Sequence, residues 1–417
     1  MTDQSLILLT NSFPYGKGET FLETEVKYLS KTFSKIFIFP SVPKDTIRTL
    51  PKNVMVIDSF FDNEKKSLSE KLFSYLSLLF STIFWSEVFN LFSKGLFSLS
   101  NISKLSLFHR LAYRKFQILN LFIEREKLDK SLVALYSYWF VSHAMAIAFF
   151  KKKNPTAFGI TRTHEYDLYQ KGKNVLPFRH FMATYLDKIV PIAKDGKNYL
   201  QNQFGISASK IAHHNLGIEN HFQPELNNVS NKEFVLLSCA FISERKRIPL
   251  IANAVKRAGE LFPNHKFVWK HIGDGDLEIT NEIQNIIKSF SKNVSAELLG
   301  YCSNQEIFEF YKRDTAISAF INVSTSEGKP VSIMEAQSFG VPVIATDVGG
   351  IRELVNQQNG HLLSPNPSVE EIANAIGSFL SPALLKEKKR NSFQIWKEEY
   401  NAQTNYTKFT EFLIKRV

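Results

Sequence analysis

The chain has 417 residues, 44% of them hydrophobic, which is enough for two ordinary domains and argues against a single compact one. Its net charge of +11 suits a phosphate-rich ligand or an anionic surface. The basic residues are scattered, without zinc-finger spacing or a basic aromatic strand, so no nucleic-acid partner is expected. Only two cysteines, Cys239 and Cys302, are present, which excludes a disulfide framework. The first residues lack a signal-peptide pattern, so we expect a cytoplasmic protein.

The N-terminal part alternates strand and helix patterns. An apolar strand at 6–9 is followed by a loop that contains Gly16 and Gly18, and then by a helical pattern. Glycines in such a loop let the backbone approach a ligand closely. Strand patterns at 36–39 and 54–57 follow, and this alternation predicts a parallel α/β sheet.

Residues 68–122 are rich in Phe, Leu and Ser. The apolar run between Lys71 and Glu87 has about fifteen residues, fewer than the roughly twenty that span a bilayer, so no transmembrane helix is predicted. Two interpretations remain open: long helices packed on the sheet, or helices whose aromatic faces lie in a membrane interface. The basic residues flanking such an interface would be Lys94, Lys104, Arg110, Arg114 and Lys115.

The first domain is expected to end near residue 218. A strand pattern at 132–136 continues the sheet, and further on comes the string Arg162-Thr163-His164-Glu165-Tyr166-Asp167. An isolated histidine is more often structural than catalytic, so the role of His164 depends on the string around it. The polar residues 219–232 are expected to form a linker.

A strand pattern at 234–239 opens the second half. The basic residues Arg245, Lys246 and Arg247 follow it, and they are either solvated surface charges or partners for a diphosphate. A later strand and turn end at Tyr301, whose backbone is a candidate contact for a nucleobase.

The most informative stretch begins with an apolar strand at 316–323. A turn of small residues follows, and Pro330 stands where a helix would begin. Unpaired N–H groups and the helix dipole favour an anion at such a helix start. The residues of this anion site are Gly328, Lys329, Pro330, Val331 and Ser332. Glu327 before the helix and Glu335 inside it would accept hydrogen bonds from hydroxyls on either side of a phosphate, which predicts a nucleotide-sugar site.

These strings resemble those of family 4 retaining glycosyltransferases, of the kind acting in bacterial capsule, O-antigen and exopolysaccharide biosynthesis. The resemblance rests on the spacing of Glu327 and Glu335, on the run 340–353 and on the string around His164. It implies the GT-B fold, an α/β architecture of two Rossmann-like domains with parallel sheets facing across a cleft. It also implies a C-terminal helix that crosses back to the N-terminal domain. The expected divisions are 1–218 for the acceptor, 219–395 for the sugar nucleotide, and 396–417 for the returning helical segment.

The resemblance also implies roles for individual residues. Its catalytic residues here would be His164, Lys246 and Glu327. Its donor-binding residues would be Gly16, Gly18, Arg245, Arg247, Tyr301, Gly328, Lys329, Pro330, Val331, Ser332 and Glu335. The family usually has an arginine where this chain has Phe241, so Arg245 or Arg247 would supply that charge. No cofactor or metal is expected, since electrostatic stabilisation of the leaving diphosphate needs none.

The resemblance implies a UDP-sugar or GDP-sugar donor and a hexose or N-acetylhexosamine as the transferred group. The expected acceptor is a glycan on a polyprenyl diphosphate, which would bring the protein to the inner face of the cell membrane as a peripheral protein. Two other functions remain open: a sugar-nucleotide epimerase of similar build, and a non-catalytic sugar-nucleotide-binding protein.

Overall fold

A computed structural model describes residues 2–16, 18–42, 46–58, 78, 80–170, 175–227, 233–314 and 316–414. The chain forms two compact units, one made of Met1–Gly217 with Ala402–Val417 and the other of Ile218–Asn401. Each unit has its own parallel sheet and its own apolar core. This is the α/β architecture of two Rossmann-like units that the sequence predicts.

Among the described residues, the first unit contains one sheet of six parallel strands in the order β3-β2-β1-β4-β5-β6. The strands are β1 (Thr2–Thr10), β2 (Phe33–Pro40), β3 (Val54–Val56), β4 (Val133–Ser137), β5 (Phe158–Thr163) and β6 (Lys188–Pro191). Strands covered on both faces need continuous apolar runs, and the central β4 is buried at every residue. The strand order reverses between β1 and β4, and ligands of open α/β sheets bind at the carboxyl ends of strands at such a point.

Seven helices precede the second unit in the described residues. They are α1 (Thr20–Ser30), α2 (Thr82–Ser93), α3 (Leu99–Arg125), α4 (Ser142–Lys153), α5 (Glu165–Leu168), α6 (Arg179–Tyr185) and α7 (Lys194–Phe204). The aromatic region 68–122 supplies α2 and most of α3, while residues 68–77 and 79 of that region lie outside the described residues. One side of α2, with Phe84 and Leu91, packs into the core of the unit. Within the described ranges, no helix combines the length and the apolar character needed to cross a bilayer.

The described part of the second unit contains another sheet of six parallel strands, in the order β12-β11-β10-β7-β8-β9. The strands are β7 (Glu233–Cys239), β8 (Lys266–Ile272), β9 (Val294–Leu298), β10 (Ile317–Asn322), β11 (Val343–Thr346) and β12 (Gly360–Leu363). The helices are α8 (Ile248–Leu261), α9 (Leu277–Lys288), α10 (Asn304–Arg313), α11 (Val331–Ser338), α12 (Val369–Gly377) and α13 (Pro382–Ile395). Parallel pairing brings the carboxyl ends of β7, β8, β9 and β10 to one edge of the sheet.

The end of the chain returns to the first unit through α14 (Ala402–Ile414), which packs against α1. The sequence placed the start of this segment at residue 396, but the π-helical turn Trp396–Tyr400 belongs to the second unit. Trp396 Nε1 donates to the carbonyl of Ile218 (3.3 Å), and Tyr400 OH donates to the carbonyl of Glu353 (2.8 Å). These aromatic side chains therefore fix the turn to the second unit, and the return begins at Ala402.

A buried ion pair joins the sheet of the first unit to its helices. Arg162 of β5 and Glu25 of α1 are both buried, with Nη2 and Oε2 3.4 Å apart. Burial raises the pKa of Glu25, against the opposing effects of Arg162 and of a hydrogen bond from Tyr136 OH (2.9 Å). The guanidinium carbon also lies 4.1 Å from the ring centre of Phe409 in α14. Arg162 thus contacts both the first and the last helix of the chain.

We expect Arg162→Ala to lower the free energy of unfolding of the first unit by about 3 kcal/mol, because it leaves a buried carboxyl without its charge partner. Urea denaturation followed by circular dichroism measures this. Arg125→Ala is the matched control, since Arg125 is exposed and pairs with Glu126 at the surface (3.1 Å). Equal midpoints for the two variants would contradict the structural role of Arg162.

Candidate functional site

The loop between β10 and α11 carries the predicted acidic residues. The strand ends at Asn322, and Pro330 is the N-cap of α11 with φ −66° and ψ 122°. The sequence predicts this strand, loop and helix start. The first N–H groups of α11 have no partner within the helix, and Val331 and Ser332 are half-buried, so an anion can approach them.

Glu327 in this loop is buried, and two basic side chains lie beside its carboxylate. Lys246, in a 3₁₀ turn after β7, forms a short ion pair with Oε1 of Glu327. Arg245 places Nη1 3.8 Å from Oε2 of the same carboxylate. The structure therefore brings together two stretches that the sequence predicts separately, the basic residues after β7 and the acidic loop before α11.

The two arginines beside Lys246 do different things. Arg247 donates from Nε to the carbonyl of Val323 (2.5 Å) and from Nη2 to that of Ser324 (3.2 Å). It also donates to the carbonyl of Pro365 (3.0 Å), and partial burial lowers its pKa. Arg245 is half-exposed and donates to the carbonyl of Ser326 (3.0 Å). Arg247 therefore holds the loop from behind, while Arg245 lies beside Glu327 with solvent access.

Two adjacent glycines after β11, Gly349 and Gly350, leave room for the backbone of the loop that contains Glu327. Gly349 has φ +54°, and a Cβ there would lie 1.8 Å from the carbonyl oxygen of Glu327. The next residue, Gly350, donates its N–H to the carbonyl of Gly328 (3.0 Å). In the sequence this pair is recognisable only as part of the run 340–353. Its physical role, close passage of two backbones, is visible only in the structure.

Glu335 in α11 and Lys329 in the loop before it are both buried, but their surroundings differ. Glu335, in α11, is buried, and burial alone raises the pKa of its carboxyl to about 7. Lys329 is buried too, with Nζ 3.0 Å from Glu353 and 5.1 Å from the ring centre of Tyr400. Because the Lys329 ammonium is engaged there, its contribution to an anion site would come from its backbone.

Tyr301 lies at the same edge of the sheet as Lys246 and Glu327. It follows β9 and is exposed, as is Phe241 after β7. The turn before it is tied to the end of β8, since Gly273 donates its N–H to the carbonyl of Gly300 (2.8 Å). Exposed rings therefore border the edge that carries the charged groups.

In the first unit, the loop after β1 contains Gly16, with φ +64°, and Gly18, while Lys17 lies outside the described residues. The carboxylate of Glu19 organises this loop. It accepts hydrogen bonds from the N–H groups of Ser12 (2.7 Å) and Phe13 (2.6 Å). Glu19 is not among the site residues predicted from the sequence, although its place directly after the glycine loop is a signal for such a role.

His164 follows β5 and lies between two aromatic rings, tilted by about half a right angle to each. Its ring centre lies 4.5 Å from Trp139 and 4.7 Å from Tyr138. Trp139 in turn donates from Nε1 to Glu19 (2.6 Å), so the glycine loop and His164 are linked. Burial, and secondarily Arg162, lowers the pKa of His164 to about 3, which keeps the imidazole neutral. Both ring nitrogens are buried and have no hydrogen-bond partner in the described ranges.

The described residues contain no group of three or more His, Cys, Asp or Glu side chains arranged to hold a metal ion. Two α/β units, each with a parallel sheet, define the GT-B class of fold, and the predicted fold class is confirmed. Residues 219–399 match the family described as "Glycosyl transferases group 1". The predicted resemblance to glycosyltransferases is therefore confirmed for the second unit, whereas assignment to family 4 stays a prediction.

Two relatives have glycosyltransferase names. The chain is 27% identical over 221 residues to the "Uncharacterized glycosyltransferase MJ1059" of Methanocaldococcus jannaschii, which covers 49% of this chain and 52% of that protein. It is 24% identical over 223 residues to the "Putative colanic acid biosynthesis glycosyltransferase WcaL" of Escherichia coli, 52% of this chain and 50% of that protein. The chain thus spans about half the length of these relatives.

Solved structures resemble the whole chain in fold. A glycosyltransferase from Rickettsia africae superposes with a TM-score of 0.67 at 16% identity, over 100% of this chain and 99% of that one. Anabaena HepE, solved in complex with UDP and glucose, superposes with a TM-score of 0.64 at 14% identity, over 98% and 99% of the two chains. At these identities the likeness shows the fold.

We expect Arg247→Ala to lower the free energy of unfolding of the second unit by about 2 kcal/mol, because three backbone carbonyls lose a charged donor. Arg245→Ala should leave stability nearly unchanged, since that side chain is half-exposed. Thermal or urea unfolding of the two variants measures the difference. A larger loss for Arg245→Ala would contradict the division of roles between the two arginines.

We expect Glu335→Gln to flatten the pH dependence of stability. The folded pKa, about 7, is above the ordinary 4.5, so the neutral carboxyl stabilises the fold at low pH, and this contribution is lost as the pH rises from 4.5 through 7. Relative to the variant, the wild type should lose about 2 kcal/mol between pH 5 and pH 8. Urea denaturation of both proteins at the two pH values measures this loss. An equal change in the free energy of unfolding for the wild type and the variant would contradict a buried carboxyl.

Proposed function

We propose that the chain is a retaining glycosyltransferase that moves a hexose or N-acetylhexosamine from a nucleotide diphosphate sugar to a lipid-linked glycan. The observation that carries this proposal is the pairing of Lys246 and Glu327 beside the start of α11, within residues that match the glycosyltransferase family model. Cations, free helical N–H groups and carboxylates at one sheet edge suit a ligand with both phosphates and hydroxyls.

The donor would lie along this edge in a definite order. The diphosphate would accept hydrogen bonds from the first turn of α11, with Lys246 and Arg245 as its cations. Glu335 would accept from the ribose hydroxyls, and the nucleobase would lie beside Tyr301. A ribose hydroxyl would give the buried Glu335 carboxylate a donor, in place of the water that burial removes.

The reaction breaks the bond between the anomeric carbon and the diphosphate oxygen. The new bond to the acceptor oxygen forms on the same face of the sugar, and the acceptor proton passes to a phosphate oxygen of the leaving group. Negative charge grows on the diphosphate as the bond breaks, and Lys246 and the α11 N-terminus would stabilise it. Glu327 would position the sugar hydroxyls, and neutral His164 would offer a hydrogen bond rather than a charge.

The acceptor class is supported by the relatives' names. WcaL of Escherichia coli is named for colanic acid biosynthesis, and AmsK of Erwinia amylovora for amylovoran biosynthesis. Surface polysaccharides of this kind suggest a glycan on a polyprenyl diphosphate as the acceptor here. That acceptor would place the reaction at the cytoplasmic face of the cell membrane.

A thermal-shift screen with UDP-sugars and GDP-sugars should identify the donor, because a ligand that binds only the folded chain stabilises it by about 2.7 kcal/mol at one hundred times its Kd. With that donor and a membrane extract, Lys246→Ala and Glu335→Ala should each reduce transfer at least about 100-fold. Lys312→Ala is the control, since Lys312 pairs with Glu309 at the surface (2.7 Å).

Radiolabelled sugar in the lipid fraction measures transfer. Near-normal transfer by either site variant would contradict the assigned site. Conversion of the donor into an epimer, without transfer, would indicate the epimerase, and a thermal shift without any turnover would indicate a binding protein.

A further inference from the structure

An aromatic face of the first unit is exposed. We call it the α2 face, and it consists of Trp85, Phe89 and Phe92 in α2 with Phe97 and Leu99 just after it. Phe89 is 73% exposed and Phe92 is 68% exposed. Scattered exposed apolar residues need no explanation, but adjacent large rings on one short helix do.

The aromatic residues of the α2 face that lie in α2 recur with the periodicity of the helix. Positions 85, 89 and 92 follow helical spacing, and at about 100° per residue they lie next to the buried side that contains Phe84 and Leu91. The apolar surface of α2 is thus wider than its packed side. Phe97 continues the face beyond the helix, since its ring centre is 6.0 Å from that of Phe92.

Within residues 80–122, the charged side chains that are not buried are all basic. Residues 80–122 contain five basic residues and one acid, Glu87. Glu87 is buried and accepts a hydrogen bond from the N–H of Phe178 (3.0 Å), so it does not offset the surface charge. Lys94 and Lys104 are exposed close to the face in sequence. This sign is complementary to an anionic surface.

A groove begins at the N-terminal end of α2. Its volume is about 420 Å³. Its lining combines apolar side chains with two lysines: Phe80, Ile83, Tyr113, Phe149, Lys152 and Lys153. An apolar floor beside ammonium groups suits a hydrocarbon chain that ends in a phosphate.

We propose that the α2 face docks on an anionic phospholipid bilayer, with its rings in the interfacial region and the neighbouring lysines at the phosphates. Rings that insert among headgroups, together with basic residues and, within residues 80–122, no exposed acid, are the features of an interfacial helix. An acidic protein partner would use the charges but would not require a row of exposed aromatic rings. The proposal does not depend on the donor or on the transfer reaction.

The test is sedimentation of the full chain with sucrose-loaded vesicles that contain no sugar nucleotide and no glycan. Vesicles of phosphatidylcholine with phosphatidylglycerol should retain the protein, while pure phosphatidylcholine should retain much less, and added salt should weaken the binding. Trp85 is the exposed tryptophan of the α2 face, so its fluorescence should be quenched by brominated lipid. The Trp85→Phe variant should lose that part of the quenching.

The double variant Phe89→Ser with Phe92→Ser should weaken vesicle binding at least about ten-fold. Leu277→Ser is the matched control, because Leu277 is 78% exposed but belongs to the second unit. Unchanged circular dichroism and melting would show that the double variant is folded.

Three results would overturn the proposal: no retention on anionic vesicles, equal retention of the double variant, or a dimer in solution that the double variant dissociates. The last would make the face a contact between two copies of the chain. Because the vesicles lack donor and acceptor, vesicle binding can succeed or fail independently of sugar transfer.

Discussion

A buried carboxylate needs a charge partner, and the second unit meets this need by pairing Glu327 with Lys246. The two residues follow strands that are neighbours in the sheet, β10 and β7, so the pair connects two loops at the same edge. Arg247 ties the same loops together from the other side through backbone carbonyls. The loop that precedes α11 is therefore held in place by side chains of the loop after β7.

The sequence was sufficient to predict the strands and the helix that carry this site. Apolar runs predict buried parallel strands, and Pro330 predicts the start of α11, because both patterns depend on local chemistry. The sequence could not assign Arg245 and Arg247, because their roles differ through the distant groups that each side chain contacts. The partner of Lys329, Glu353, is likewise distant in sequence. These roles depend on contacts between residues that are far apart in sequence, and a local sequence pattern does not predict such contacts.

The first unit shows the same limit. Its glycine loop is recognisable from Gly16 and Gly18, yet the group that shapes the loop is the carboxylate of Glu19, through hydrogen bonds to backbone N–H groups. His164 is recognisable by its string, but its neutral state follows from burial against Trp139 and Tyr138. The composition of residues 68–122 left open whether they pack or face a lipid surface. The structure shows that α2 has a packed side and an exposed aromatic side next to it.

The close passage of Gly349 beneath the carbonyl of Glu327 makes two distant stretches of sequence inseparable. A side chain at Gly349 would push the acidic loop away, so neither stretch can vary alone. A chimaera that exchanges the segment around Glu327 with that of a relative should therefore also transplant the turn at Gly349 and Gly350. Grafting one without the other would misplace the carboxylate even if every charged residue were retained.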